Sequence, residues 1–220
     1  NTMEDILEIQ KKAFLNEGPP SLTKRIDLLK RCIALIETHE EKIIEALNHD
    51  FRNRSVDEIK ISEIDQTIRN LLFTIRKLNK WMQPQRRFSS LGTDLLGAKS
   101  SLKPSPLGTV GIISPWNFPV GLIFYPLASV FAAGNRAMVK PSEITPATAN
   151  IIKEGVQKYF DISELAVITG DPAVGEKFSA LKLDHLLFIG SNRVAKKVAA
   201  QAAKNLVPTT LELGGKSPTI

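Results

Sequence analysis

The sequence predicts an α/β chain: a parallel sheet with helices between its strands, preceded by a layer of helices. Three observations carry that prediction. Beyond residue 107, apolar runs of strand length alternate with amphipathic helical patterns. The boundaries carry helix punctuation at Gly134, Thr145-Pro146, Asp171-Pro172 and Ser191. Before residue 85, apolar residues recur at three- and four-residue steps with no strand-length run. Repeated strand–helix units imply parallel strands joined by right-handed crossovers, so residues 107–220 read as a Rossmann-like domain.

The elements follow in order. Residues 1–20 hold one amphipathic pattern, Ile6, Leu7, Ile9 and Phe14, stopped by Gly18-Pro19-Pro20. Ser21 is placed to cap a second helix with apolar positions Leu22, Ile26, Leu29, Ile33 and Ile36. Cys32 lies beside that stripe and reads as a small buried hydrophobe, because no basic pocket surrounds it. Ser55-Val56-Asp57-Glu58 has the form of a capping box. The helix it opens carries a regular stripe, Ile61, Ile64, Ile68, Leu71, Ile75 and Leu78, closed by Trp81 and Pro84. Residues 1–85 are therefore expected to form one helical layer packed on the sheet. In 86–106, small polar and apolar residues alternate around Gly92 and Gly97, the pattern of a hairpin. Strands are expected at 108–113, 136–140, 165–169, 185–189 and 208–213. Helices are expected at 120–133, 146–159, 172–180 and 192–204.

Bulk properties exclude several function classes. No apolar run in the 220 residues approaches the length needed to span a bilayer. Asn1-Thr2-Met3-Glu4-Asp5 lacks the basic and apolar regions of a signal peptide. One cysteine leaves no internal disulfide framework, which points to a reducing, cytoplasmic location. The net charge of +6 raises nucleic acid as a partner. However, Lys24, Arg25, Lys30, Arg31, Arg76, Lys77, Arg86 and Arg87 are mixed with acids and lack interleaved aromatics, which argues for solvated helix faces.

The chemistry gathers where strands end. The run Val110-Gly111-Ile112-Ile113 empties into Ser114-Pro115-Trp116-Asn117-Phe118-Pro119, a turn fixed by two prolines. Ligands of open α/β sheets bind beyond the carboxyl ends of strands. There the Asn117 carboxamide can donate to a developing oxyanion; on local sequence it reads equally as a helix cap. After the next strand, Glu143 can accept from a ribose diol and Lys140 can donate to it, although Lys-Pro-Ser-Glu alone is an ordinary loop and helix start. Gly190-Ser191 offers close backbone approach and a hydroxyl at a helix N-terminus, the ingredients of a phosphate site and equally of a plain cap. The usual dinucleotide glycine fingerprint is absent, and Gly170 to Gly175 only echoes it. Glu212 ends the last strand before Gly214-Gly215, where a carboxylate can swing toward a reacting centre or simply face solvent.

Taken together, Pro115-Trp116-Asn117-Phe118-Pro119, Gly134-Asn135 with Val139-Lys140-Pro141-Ser142-Glu143, Phe188-Ile189-Gly190-Ser191 and Glu212-Leu213-Gly214-Gly215-Lys216-Ser217-Pro218 resemble the NAD(P)-dependent aldehyde dehydrogenase superfamily. The resemblance covers most of the chain in order and spacing, and is nearest to the class-3-like branch that includes coniferyl aldehyde dehydrogenases. It implies NAD as cofactor, with NADP as the alternative. The implied cofactor residues are Ile113, Ser114, Pro115, Trp116, Lys140, Ser142, Glu143, Gly175, Gly190, Ser191 and Leu213. Asn117 is then the oxyanion donor and Glu212 the general base, with no metal. The substrate would be an aldehyde, coniferyl or another aromatic one. Strands at 86–106 would join a second subunit in a homo-oligomer. Ile189 and Ala195 depart from the family's usual threonine and glycine.

The same resemblance places the nucleophilic cysteine beyond Ile220. The chain then corresponds to the N-terminal half of a longer enzyme and alone does not oxidise aldehydes. The alternative is a non-catalytic nucleotide-binding or interaction module.

Overall fold

The computed structural model describes residues 1–88 and 97–218. Helices α1 (Met3–Glu17), α2 (Leu22–Thr38) and α3 (Glu40–Phe51) come first. A short α4 (Val56–Ile59) runs through a π-helical turn (Lys60–Asp65) into α5 (Gln66–Trp81). A two-stranded antiparallel ribbon follows, β1 (Gln85–Arg87) against β2 (Ser100–Leu102), with Gln85 opposite Leu102. The hairpin expected over 86–106 has its connecting residues 89–96 outside the described residues.

Five parallel strands form the sheet: β3 (Thr109–Ile113), β4 (Arg136–Lys140), β5 (Leu165–Val167), β6 (His185–Gly190) and β7 (Thr209–Leu213). Their order across it is β5-β4-β3-β6-β7. Between them run α6 (Gly121–Ala133), α7 (Pro146–Tyr159), α8 (Pro172–Ser179) and α9 (Asn192–Ala203). The connections after β3 and β6 lead in opposite directions, so a topological switch lies between these neighbours, the place where such sheets bind ligands.

Burial on both faces explains why the central strands read as unbroken apolar runs. In β4, Ala137 and Val139 join one core while Met138 joins the other. The first core gathers α2, α3, α5, α6 and α7; the second gathers α1, α8 and α9. The N-terminal helices are thus not one layer. Ile6 and Leu7 of α1 pack on the opposite face from α2 to α5, because Gly18 (φ 68°) and two prolines turn the chain around the sheet edge.

Two further expectations are corrected. Ser55 makes no side-chain cap, so the capping-box pattern is not used. The stripe from Ile61 is not regular either, for Ile61 is 67% exposed. The π turn inserts one residue per turn, so Ile59 is followed on the buried face by Glu63 and Ile64. Beyond it the normal spacing resumes at Thr67, Leu71, Thr74 and Leu78.

A partly buried ion cluster ties α2 to the loop before β5. Arg31 donates to both carboxylate oxygens of Glu164 (2.7 and 3.0 Å), and Lys24 lies 2.6 Å from the same group. Partial burial acts to raise the Glu164 carboxyl, but the bonds from Arg31 and Lys24 outweigh it and hold the group at about 2. A depressed carboxylate stabilises the fold above its ordinary value and loses that contribution as pH falls through the folded one. Glu164→Gln is therefore expected to cost about 2 kcal/mol at neutral pH after allowance for solvent screening. Urea titrations of both proteins should show that difference fading between pH 4.5 and about 2.

Candidate active site

Every sequence-assigned site residue lies at or just beyond the carboxyl edge of the sheet or, for Gly175, in the helix beside it. Lys140 ends β4, and its carbonyl accepts from the Ser114 N–H at 3.2 Å, tying the ends of β4 and β3 together. The Lys140 side chain is almost wholly buried, and its Nζ lies 2.7 Å from Glu143 Oε2. Partial burial works to raise the Glu143 carboxyl, but the Lys140 hydrogen bond and charge hold it below the ordinary carboxylate range. Glu143 is thus an ionised acceptor on an anchored lysine. Ser142 Oγ accepts from the Ile144 N–H at 3.2 Å and shapes the turn.

A cavity of about 240 Å³ opens beside this pair, lined by Ser142, Glu143, Asn150, Thr169 and Asp171 among others. Gly175 stands across from Lys140; a Cβ there would meet Lys140 Cε at 3.7 Å. A carboxylate acceptor lining a largely apolar cavity, with a buried lysine donor paired to it, fits a vicinal diol, which must both donate and accept. These residues therefore suit the ribose of a nucleotide.

At the end of β6, Ser191 accepts from the Val194 N–H at 3.4 Å, so the N-cap reading of this serine is realised. Gly190 is required for packing as well, since a Cβ would come within 2.6 Å of the Phe188 ring. Leu213 pairs with Gly190 and Glu212 with Ile189 in the adjoining edge strand. Glu212 is exposed and beyond reach of Asn117: β7 and β3 are separated by β6, so about 10 Å of sheet lies between them.

The Asn117 turn has its own support. Asn117 does not cap α6, so that alternative is ruled out. The cap is Glu63, delivered by the π turn. Its Oε2 accepts from the N–H groups of Val120 (3.1 Å) and Gly121 (2.8 Å). Its Oε1 accepts from Arg54 Nη1 at 3.0 Å, and the same nitrogen donates to the Asn117 carbonyl at 3.1 Å. The guanidinium lies 4.9 Å from the Phe51 ring centre and 4.8 Å from that of Phe118. Trp116 in turn packs on Phe51 at 6.2 Å. Burial pushes the Glu63 carboxyl up, opposed by the Gly121 N–H, Arg54 and the Val120 N–H. The Asn117 residue is left exposed, with its backbone pinned.

Sequence reasoning did not find Arg54, Glu63 or Asp50. Asp50 caps α7 from a distance by accepting from Ala147 N (3.2 Å) and Thr148 N (2.8 Å), while Thr145 itself caps nothing. No local spacing signals such caps. Cys32 is fully buried, and burial pushes its thiol up, as expected for a core cysteine. Among the described residues no cluster of His, Cys, Asp and Glu could hold a metal, and no helix is long and apolar enough to cross a membrane.

Comparison with known proteins identifies the family and the fold. Residues 2–220 match the profile described as "Aldehyde dehydrogenase family". The chain is 51% identical to a probable coniferyl aldehyde dehydrogenase of Caulobacter vibrioides, over 99% of this chain and 45% of that protein. It is 46% identical to a coniferyl aldehyde dehydrogenase of a Pseudomonas species, over 97% of this chain and 44% of that one. Substrate-bound AldH of Staphylococcus aureus superposes with a TM-score of 0.93 at 36% identity, covering 99% of this chain and 47% of its own. The chain thus spans about half the length of the curated relatives it matches. A match from residue 2 to residue 220, on a fold with its site residues at one sheet edge, places this chain in the aldehyde dehydrogenase family.

Proposed function

We propose that this chain is the cofactor half of an NAD(P)-dependent dehydrogenase that oxidises an aldehyde to a carboxylic acid. The Lys140–Glu143 pair, whose carboxylate lines the cavity, carries the reading. Glu143 accepts from the two ribose hydroxyls of the adenosine and Lys140 donates to them. An anionic Glu143 repels a ribose phosphate, which favours NAD over NADP. Ile113, Ser114, Pro115, Trp116, Ser142, Gly175, Gly190, Ser191 and Leu213 line the path of the rest of the nucleotide along the sheet edge. The nicotinamide, when bound, supplies the hydride acceptor.

This chain's own residues supply two further functions. Asn117, held rigidly beyond β3, donates its carboxamide N–H to the carbonyl oxygen as negative charge develops there. Glu212, on an edge strand followed by glycines, takes the proton from the attacking water. The nucleophile is not within residues 1–220, because the one cysteine, Cys32, is sealed in the core on α2. The β1–β2 ribbon projects a subunit-joining hairpin, and a reducing cytoplasm suits the lone thiol. The two coniferyl aldehyde dehydrogenases among the relatives point to coniferyl or another aromatic aldehyde as substrate.

The full-length protein is expected to reduce NAD with coniferyl aldehyde and release one acid per NADH, followed by absorbance and chromatography. Residues 1–220 alone are expected to produce no NADH. Turnover by residues 1–220 alone would overturn the placement of the nucleophile. Failure of the full-length protein with aromatic and aliphatic aldehydes alike would overturn the function.

A further inference from the structure

Two charged side chains converge on the Asn117 turn without reaching the cavity or the strand ends. Glu63 is completely buried, yet it sits on the outer, charged stretch of a helix whose neighbours Lys60 and Ile61 are exposed. Only the π turn rotates it inward, and single π turns recur at functional sites. Burying a carboxylate is costly unless its lone pairs are filled. Here Val120 N, Gly121 N and Arg54 Nη1 all donate to it. Arg54 closes the circuit by donating to the Asn117 carbonyl and lying against the rings of Phe118 and of Phe51, which packs on Trp116.

A helix cap needs only an acceptor for the free N–H groups of the first turn. The extra expense of a π turn, a buried carboxylate and a pinned arginine falls on one backbone segment, 117–121. We infer that Arg54 and Glu63 are positioning residues for the oxyanion site: through the Asn117 carbonyl and the first turn of α6 they fix where the Asn117 carboxamide points. The inference rests on the reading of Asn117 as oxyanion donor. A displacement of about 1 Å in such a donor costs on the order of 10²-fold in rate, so a rigid mount matters more than for a ligand contact.

The test is a double-mutant cycle in the full-length protein, with kcat and both KM values measured for Arg54→Lys, Asn117→Ala and the pair. Lysine keeps the charge but cannot donate to Glu63 and Asn117 while lying flat on the rings. Arg54→Lys is expected to lower kcat about 10-fold with the KM for aldehyde and for NAD within about 2-fold, and to cost nothing further on top of Asn117→Ala. Glu63→Gln, which keeps the shape and one acceptor for the α6 N–H groups, should behave like Arg54→Lys if the lysine variant proves unstable. Arg31→Lys, at the partly buried pair with Glu164, serves as the structural control and should lower the melting temperature without lowering kcat. An unchanged kcat in Arg54→Lys and Glu63→Gln, or the same loss in the Asn117→Ala background, overturns the inference. A silent Asn117→Ala instead overturns the oxyanion reading itself, so the two failures are distinct.

Discussion

Asn117→Ala in the full-length protein is expected to lower kcat by about 10²–10³-fold, the usual cost of removing one oxyanion donor. The effect should fall on kcat and kcat/KM together, because the bond forms only as the carbonyl oxygen gains charge. The structure sharpens that expectation by removing the competing explanation. Asn117 is exposed and does not cap α6; Glu63 does. Its backbone carbonyl, not its side chain, receives Arg54. Truncating the side chain should therefore change stability by less than about 0.5 kcal/mol. Rate loss with an unchanged melting temperature, measured on the same preparation, separates a chemical role from a structural one. Comparable losses of both would mean that Asn117 holds the turn together.

Glu143→Ala is expected to weaken NAD binding by about 30- to 100-fold. Two hydrogen bonds from ribose hydroxyls to an ionised acceptor account for most of it, at roughly 1.5–3 kcal/mol for a charged partner. A second contribution comes from Lys140, whose Nζ is almost wholly buried and finds its carboxylate at 2.7 Å. Without Glu143 that ammonium keeps its burial and loses its partner, so it is no longer held in place for the sugar. NADP should respond less, because its phosphate is repelled by the carboxylate that the substitution removes. The ratio of NAD to NADP affinity is thus expected to fall toward unity in Glu143→Ala.

Much of this organisation is legible in the sequence, for identifiable reasons. Strands β3, β4 and β5 are buried on both faces and survive as largely apolar runs, whereas β7 is an exposed edge strand, and the helices between them start or stop at Gly134, Pro146, Asp171-Pro172 and Ser191. The placement of Lys140, Glu143, Gly190 and Asn117 at or just beyond strand ends is legible because the strands themselves are. What is not legible is long-range. α3 merges with α2 in any periodicity count, since only His39 separates them. The π turn shifts the stripe by one residue, so Ile61 reads as core and Glu63 as a solvent charge, the reverse of what the structure holds. The caps of α6 and α7 come from Glu63 and Asp50, 57 and 97 residues away respectively, and no local pattern announces them.

A cofactor site formed by this chain is the claim on which the rest depends, and calorimetric titration of NAD and NADP into residues 1–220 tests it most directly. One NAD is expected to bind per chain, with NADP bound more weakly and affinity for NAD largely lost in Glu143→Ala. Absence of binding to either nucleotide, or binding that ignores Glu143→Ala, would contradict that claim.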